Sequence, residues 1–336
     1  MEAWDLLRNV WFLLVGVLLA GYSVLDGFDL GIGSLFPFLA KSEDDKRTLI
    51  GAIGPVWDGN EVWLLTGGGA LFAAFPLAYA TVFSGFYLAL MLVLFALILR
   101  AVSLEFRAHD PKRKGFWEAA FVGGSLLPSL LFGVALGNVI VGVPLDARTE
   151  YAGNFFTLLR PLPLVFGLLG LAAILLHGSA YAALKTEGAL RERARRTAGT
   201  LAVATAAAFL LSFVAVWVYL PEALKRRPAW AFAGLVYLSL GLVMRAVKGR
   251  KDRTAFLFSS AAFLGLWGVA GSIHYPNLVR ASDPALSLTI TNASSSLLTL
   301  KVMLVIALAG MPLVVGYTAF AYRVFKGKVR PDDAGY

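Results

Sequence analysis

Apolar runs of roughly 20 residues, the length a helix needs to cross the hydrocarbon core of a bilayer, recur along this chain with only short polar connections between them. That pattern leaves one economical fold, an all-α polytopic bundle of membrane helices. Composition agrees: of 336 residues, 58% are hydrophobic and 15% charged, against about a quarter charged in soluble domains, and the mean hydropathy is +0.73. About nine spans are expected within a single membrane domain over 1–336, at 9–32, 52–74, 79–101, 116–139, 161–184, 198–220, 229–247, 255–275 and 300–324. The longest connections run to about 25 residues, too short for a separate soluble domain, and no inverted repeat is evident. The first run follows Glu2, Asp5 and Arg8 without a basic n-region or a small-residue cleavage site, so a retained span is expected there.

The net charge of +9 does not point to nucleic acid, because the basic residues sit in small groups between apolar runs. Their distribution follows membrane topology. Of 30 lysines and arginines, 22 fall on one side, in Lys41–Arg47, Arg100–Lys114, Lys185–Arg196, Arg245–Arg253 and Arg323–Arg330. The positive-inside rule then sets the N-terminus outside and the C-terminus in the cytoplasm. Cysteine is absent, and His109, His177 and His274 lie far apart, so neither thiolate sites nor paired histidines on one helix face are available to a metal.

Acids occur where lipid disfavours them. The first span ends in GYSVLDGFDLGIG, with Asp26 and Asp29 at i, i+3 on one helix face. The second opens with Trp57, Asp58, Asn60 and Glu61, and the third ends in ILRAVSLEFR, carrying Arg100, Glu105 and Arg107. All three sets fall on the basic side. A charge near the bilayer centre costs about 2.5–3.5 kcal/mol on insertion scales, so such residues usually face a bundle interior and have partners. One reading is a proton inlet from the cytoplasm. The competing reading makes each acid a structural carboxylate, capping a helix end or pairing with Arg100. Glu61 is expected to be an interfacial side chain reaching the head groups, and Glu105 to lie in a solvated loop. His177 and His274 are expected as hydrogen-bonded helix-end residues, and Trp11, Trp217, Tyr219 and Trp230 as members of an interfacial aromatic belt.

The segments VLDGFDLGIG (Val24 to Gly33) and GPVWDGNEVWLLTGGGALFAAFPLAYATVFSGFY (Gly54 to Tyr87) resemble the haem-free second subunit of cytochrome bd quinol oxidases. Weaker echoes follow in LFGVALGNVIVGVP, YAGNFFTLLRPLPL and TNASSSLLTLKVM. The resemblance implies a bacterial inner-membrane protein partnered by a haem-bearing subunit I that holds haem b and haem d. It implies no redox cofactor on this chain, and it allows a structural quinone and a small single-span accessory subunit. It further implies a proton path through Asp58, Asp26, Asp29 and Glu105, with Trp57, Asn60 and Arg100 facing the subunit boundary or lining the route. One departure stands out: an acid that relatives carry before the final helix is Asn292 here. Two other classes compete, a proton-coupled secondary transporter and a purely structural or assembly subunit.

Overall fold

In the computed structural model, which describes residues 3–330, most of the chain lies in eleven α-helices. These are α1 (Ala3–Leu39), α2 (Glu43–Ile53), α3 (Trp57–Ala74), α4 (Pro76–Gly85), α5 (Tyr87–His109), α6 (Lys114–Val141), α7 (Pro161–Lys185), α8 (Gly188–Tyr219), α9 (Arg227–Lys248), α10 (Asp252–His274) and α11 (Leu297–Val324). Among the described residues, eight helices are long and apolar enough to cross a membrane: α1 and α5 through α11. The second span expected from the sequence corresponds to α3, which has 18 residues, opens with Asp58 and Glu61, and is not among the eight.

The expected spans at 52–74 and 79–101 are each interrupted, the first at Pro55 and the second at Phe86. α2 begins at an N-cap where Ser42 Oγ accepts from the Asp45 N–H at 3.1 Å. It ends at the turn Gly54–Val56, where Pro55 has no N–H to continue the ladder. Farther on, Phe75 leaves helical geometry and Pro76 takes the first position of α4, the place in a helix where a missing N–H costs nothing. The segment expected as one span at 79–101 divides at Phe86 between α4 and α5.

The bundle is organised around α1. Every residue from Asp26 to Phe36 is buried, as a helix must be when neighbours cover all its sides. Close approach to α7 is made through glycine: a Cβ on Gly31 would lie 2.8 Å from the Cα of Gly178 and nearer still to the Ile174 carbonyl oxygen. Small residues are what let membrane helices meet backbone to backbone. The same device operates between α5 and α6, where a Cβ on Gly124 would lie 2.8 Å from the Arg100 nitrogen.

One end of the bundle gathers the basic segments and is tied by ion pairs. Arg107 of α5 bridges Glu43 of α2 at 3.0 Å and Glu118 of α6 at 2.8 Å, while Lys46 and Lys114 pair with Glu118 and Glu43 at 2.8 and 3.1 Å. Asp252 of α10 accepts from Arg191 at 2.6 Å and Arg195 at 2.8 Å, both on α8. Beyond α11, the Val329 N–H donates to the Lys185 carbonyl at 2.9 Å. At the opposite end the α10–α11 connection forms a small antiparallel pair, β1 (Asn277–Val279) with β2 (Leu288–Thr289). There the Ser295 N–H donates to the Ala74 carbonyl at 2.8 Å, closing the end of α3. Trp11 is not a belt residue. It is 3% exposed, and its indole N–H donates to the Leu300 carbonyl at 3.0 Å, joining α1 to α11. Trp217, Tyr219 and Trp230 are exposed, as a belt requires.

Two expectations follow. Gly31→Ala and Gly178→Ala should each cost about 1–3 kcal/mol by overpacking, read as a lower melting temperature in detergent, whereas Gly234→Ala, with open space around it, should be silent. At the basic end, burial alone would raise the Glu43 carboxyl, but the hydrogen bond from Lys114 and the charge of Arg107 outweigh it and hold the group below its ordinary value. A carboxyl lowered by folding stabilises above its unfolded value and loses that contribution as pH falls through the folded one. Glu43→Gln should thus lower thermal stability at neutral pH and converge with the parent chain in acid.

Candidate functional site

About 20 Å from the basic end of α1, at 1.5 Å per residue, Asp26 meets Arg100 of α5. Arg100 Nη2 donates to Asp26 Oδ1 at 2.7 Å and Nη1 to Oδ2 at 3.1 Å, a bidentate pair with both residues 0% exposed. Nη1 also donates to Glu61 Oε1 of α3 at 3.1 Å. One turn along α1, Asp29 Oδ2 accepts from the Asn60 amide at 2.7 Å, and the same amide nitrogen donates to the Leu25 carbonyl at 3.1 Å. The Asn60 oxygen accepts from the Tyr322 hydroxyl of α11 at 2.9 Å. Four helices, α1, α3, α5 and α11, therefore meet in one polar cluster.

Local sequence explains the convergence. The i, i+3 spacing of Asp26 and Asp29 sets both on one face of α1. The turn at Gly54–Val56 starts α3 beside them, so that Asn60 and Glu61 come within reach. The approach allowed by Gly124 beds Arg100 between α5 and α6. One guanidinium then faces three carboxyls, those of Asp26, Asp29 and Glu61. Ionising all three would leave uncompensated negative charge in a poorly solvated interior, which is strongly unfavourable.

Of the residues singled out from sequence, Asp26, Asp29, Asn60 and Arg100 come together. Trp57 is half-buried against the apolar cluster of α1 and α2. Asp58 is exposed on the first turn of α3, and Glu105 is exposed on α5 beyond Arg100. Glu61 does not reach for head groups: it bonds Arg100 with its side chain 24% exposed. The sequence did carry a signal for it, the i, i+3 spacing from Asp58. Tyr322 carried none, lying 262 residues from its partner.

The histidines are otherwise engaged. His177 is fully buried, with Nδ1 2.7 Å from Ser259 Oγ and Nε2 2.9 Å from the Val24 carbonyl, and its ring stacks on Phe256. His274 Nε2 bonds the Leu278 carbonyl at 3.0 Å, and His109 is exposed beside the Glu105 carbonyl. Among the described residues no group of three or more His, Cys, Asp or Glu is arranged to hold a metal ion. Asn292 completes a turn, its side-chain oxygen accepting from the Thr289 N–H at 2.7 Å and its amide donating to the Ser287 carbonyl at 3.0 Å.

Comparison with known proteins agrees with this architecture. The family described as cytochrome bd terminal oxidase subunit II matches residues 7–325. Cytochrome bd-I ubiquinol oxidase subunit 2 of Escherichia coli K12 is 37% identical over 372 aligned residues, covering 99% of this chain and 98% of that protein. Cytochrome bd ubiquinol oxidase subunit 2 of Bacillus subtilis is 36% identical, covering 96% and 97%. Among solved structures, a chain of the bd oxidase from Geobacillus thermodenitrificans shares the fold, with a TM-score of 0.80 at 18% identity over 95% of this chain and 98% of that one. The eight apolar helices and these bacterial relatives mark a multi-pass protein of a bacterial inner membrane. With a family match over nearly the whole chain and relatives more than a third identical from end to end, this chain belongs to the cytochrome bd terminal oxidase subunit II family.

Proposed function

We propose that this chain is the haem-free subunit of a terminal oxidase that oxidises quinol and reduces O2 to water, and that it conducts protons from the cytoplasm to a haem-bearing partner. The observation that carries the reading is the buried cluster itself, three carboxyls around a single guanidinium. In this reading α3, continued toward the basic end by α2, is a ninth crossing, and the basic end faces the cytoplasm.

The cluster divides into two roles. Arg100 and Asp26 form the anchor, a fully buried bidentate pair that orients the rest. Asp29 and Glu61 are the exchangeable members, because the anchor leaves their charge only partly matched. Glu105, exposed on α5 toward the basic end, stands at the inlet. Asp58 stands at the outlet: it lies one helical turn from Glu61 on the same face of α3 and is exposed on a surface free for a partner.

His177 has both ring nitrogens committed to Ser259 and the Val24 carbonyl, and in this reading the haems, with the redox chemistry, are held by the partner. Large apolar side chains of α3, α5 and α11, among them Leu65, Phe72, Phe95, Leu313 and Phe320, are exposed, and a membrane subunit of the size of subunit I, lipid or quinone would cover them.

Purified through a tag on this chain, the complex should carry a haem spectrum that comes from a second polypeptide. A haem-free homomer with transport activity would instead favour a proton-coupled transporter. Asp58→Asn should lower quinol-driven oxygen consumption by about 10²-fold, the low end for a positioned proton-transfer group, while haem content is retained. Unchanged turnover would reduce the chain to scaffold.

A further inference from the structure

Asp29 is the one acid of the cluster that has no cation of its own, and its two oxygens differ. Oδ2 accepts the Asn60 amide at 2.7 Å, whereas Oδ1 is buried with no hydrogen-bond partner among the described residues. Which oxygen carries an exchangeable proton then depends on the direction in which Asn60 is held. A primary amide can present either its NH2 or its carbonyl, and the two ends differ in what they offer a carboxyl. An NH2 donates to a carboxylate oxygen, while a carbonyl would accept from a protonated one.

One group fixes the choice, and a second holds the amide in it. The Leu25 carbonyl can only accept, so the atom 3.1 Å from it must be the amide nitrogen. On the other side the Tyr322 hydroxyl donates to the amide oxygen at 2.9 Å. Tyr322 belongs to α11, a helix of which only Leu300 is fully buried among the described residues, so its hydroxyl makes a specific polar contact on a helix with little packing. We infer that Tyr322 is a positioning residue for proton transfer: by holding the Asn60 amide it reserves Asp29 Oδ2 as an acceptor and directs the proton to Oδ1. The inference rests on the proton-conducting reading of the cluster. The groups that surround Asp29 and could report its state are Asp26 on α1, Glu61 on α3, Arg100 on α5, Tyr181 on α7 and Tyr322 itself.

The test is infrared difference spectroscopy on the intact complex, recorded between acidic and alkaline pH in the region of the protonated-carboxyl C=O stretch. Asp29→Asn identifies the Asp29 band by its loss. Tyr322→Phe removes the hydroxyl but keeps the ring, and it should shift or split that band and slow oxygen consumption several-fold with haem content unchanged. Asn60→Leu should shift the band as well, and adding Tyr322→Phe to it should change nothing more, since the hydroxyl acts through the amide. If Tyr322→Phe leaves the band in place, or shifts it further in the Asn60→Leu background, the inference fails while the proton-conducting reading stands. If no band is lost in Asp29→Asn, Asp29 holds no exchangeable proton, and reading and inference fall together.

Discussion

A guanidinium with no exposed surface, gripped at two points by an equally buried carboxylate, sets the conditions for everything else in this bundle. Neither charge is tolerable alone in a low-dielectric interior, and removing one partner of such a pair costs about 3–5 kcal/mol. α1 and α5 are therefore locked in register at the level of Asp26. The glycine contacts of α1 with α7 and of α6 with α5 follow from the same requirement, because backbones must close around a salt bridge to keep lipid and bulk water from it. Stability is drawn from packing that the pair dictates, and less from the pair itself.

That arrangement gives the three acids three different kinds of partner. A site made only of matched pairs would be inert, and a site of unmatched acids would not fold into hydrocarbon. Here one acid is matched by Arg100 in two-point geometry, a second shares a single guanidinium nitrogen, and a third is held by a neutral amide. The gradation runs from a two-point ion pair to an acid held by a neutral amide, on consecutive turns of α1. Tyr322 and Asn60 tie the amide-held acid to the last helix.

Much of this could be read from the sequence, and the omissions have physical causes. Asp26 and Asp29 announced themselves as paired acids in an apolar run, and Arg100 as a cation at the end of another. Glu61 was misjudged because burial at the start of α3 depends on α2 extending the rod toward the basic end, and a break at Gly54–Val56 reads the same whether it lies at a membrane surface or inside a bundle. Trp11 has the composition of a belt residue and was assigned as one; only the arrival of α11, whose Leu300 carbonyl it bonds from 289 residues away, makes it a core residue. The break at Phe86 inside 79–101 carries no signal, because it interrupts the apolar run with neither a charge nor a proline. His177 followed its expected role as a hydrogen-bonded residue, though buried more deeply than a helix end suggests.

The distance along the chain between Asp26 and its cation, 74 residues, bears on how the protein is made. During synthesis α1 leaves the ribosome with two acids and no guanidinium to receive them, at about 2.5–3.5 kcal/mol for each charge carried to mid-bilayer. Until α5 follows, Asp26 has no guanidinium to pair with, and that cost falls on the apolar remainder of α1. The pair that centres the bundle is therefore a late one, closed only after 74 further residues have been made.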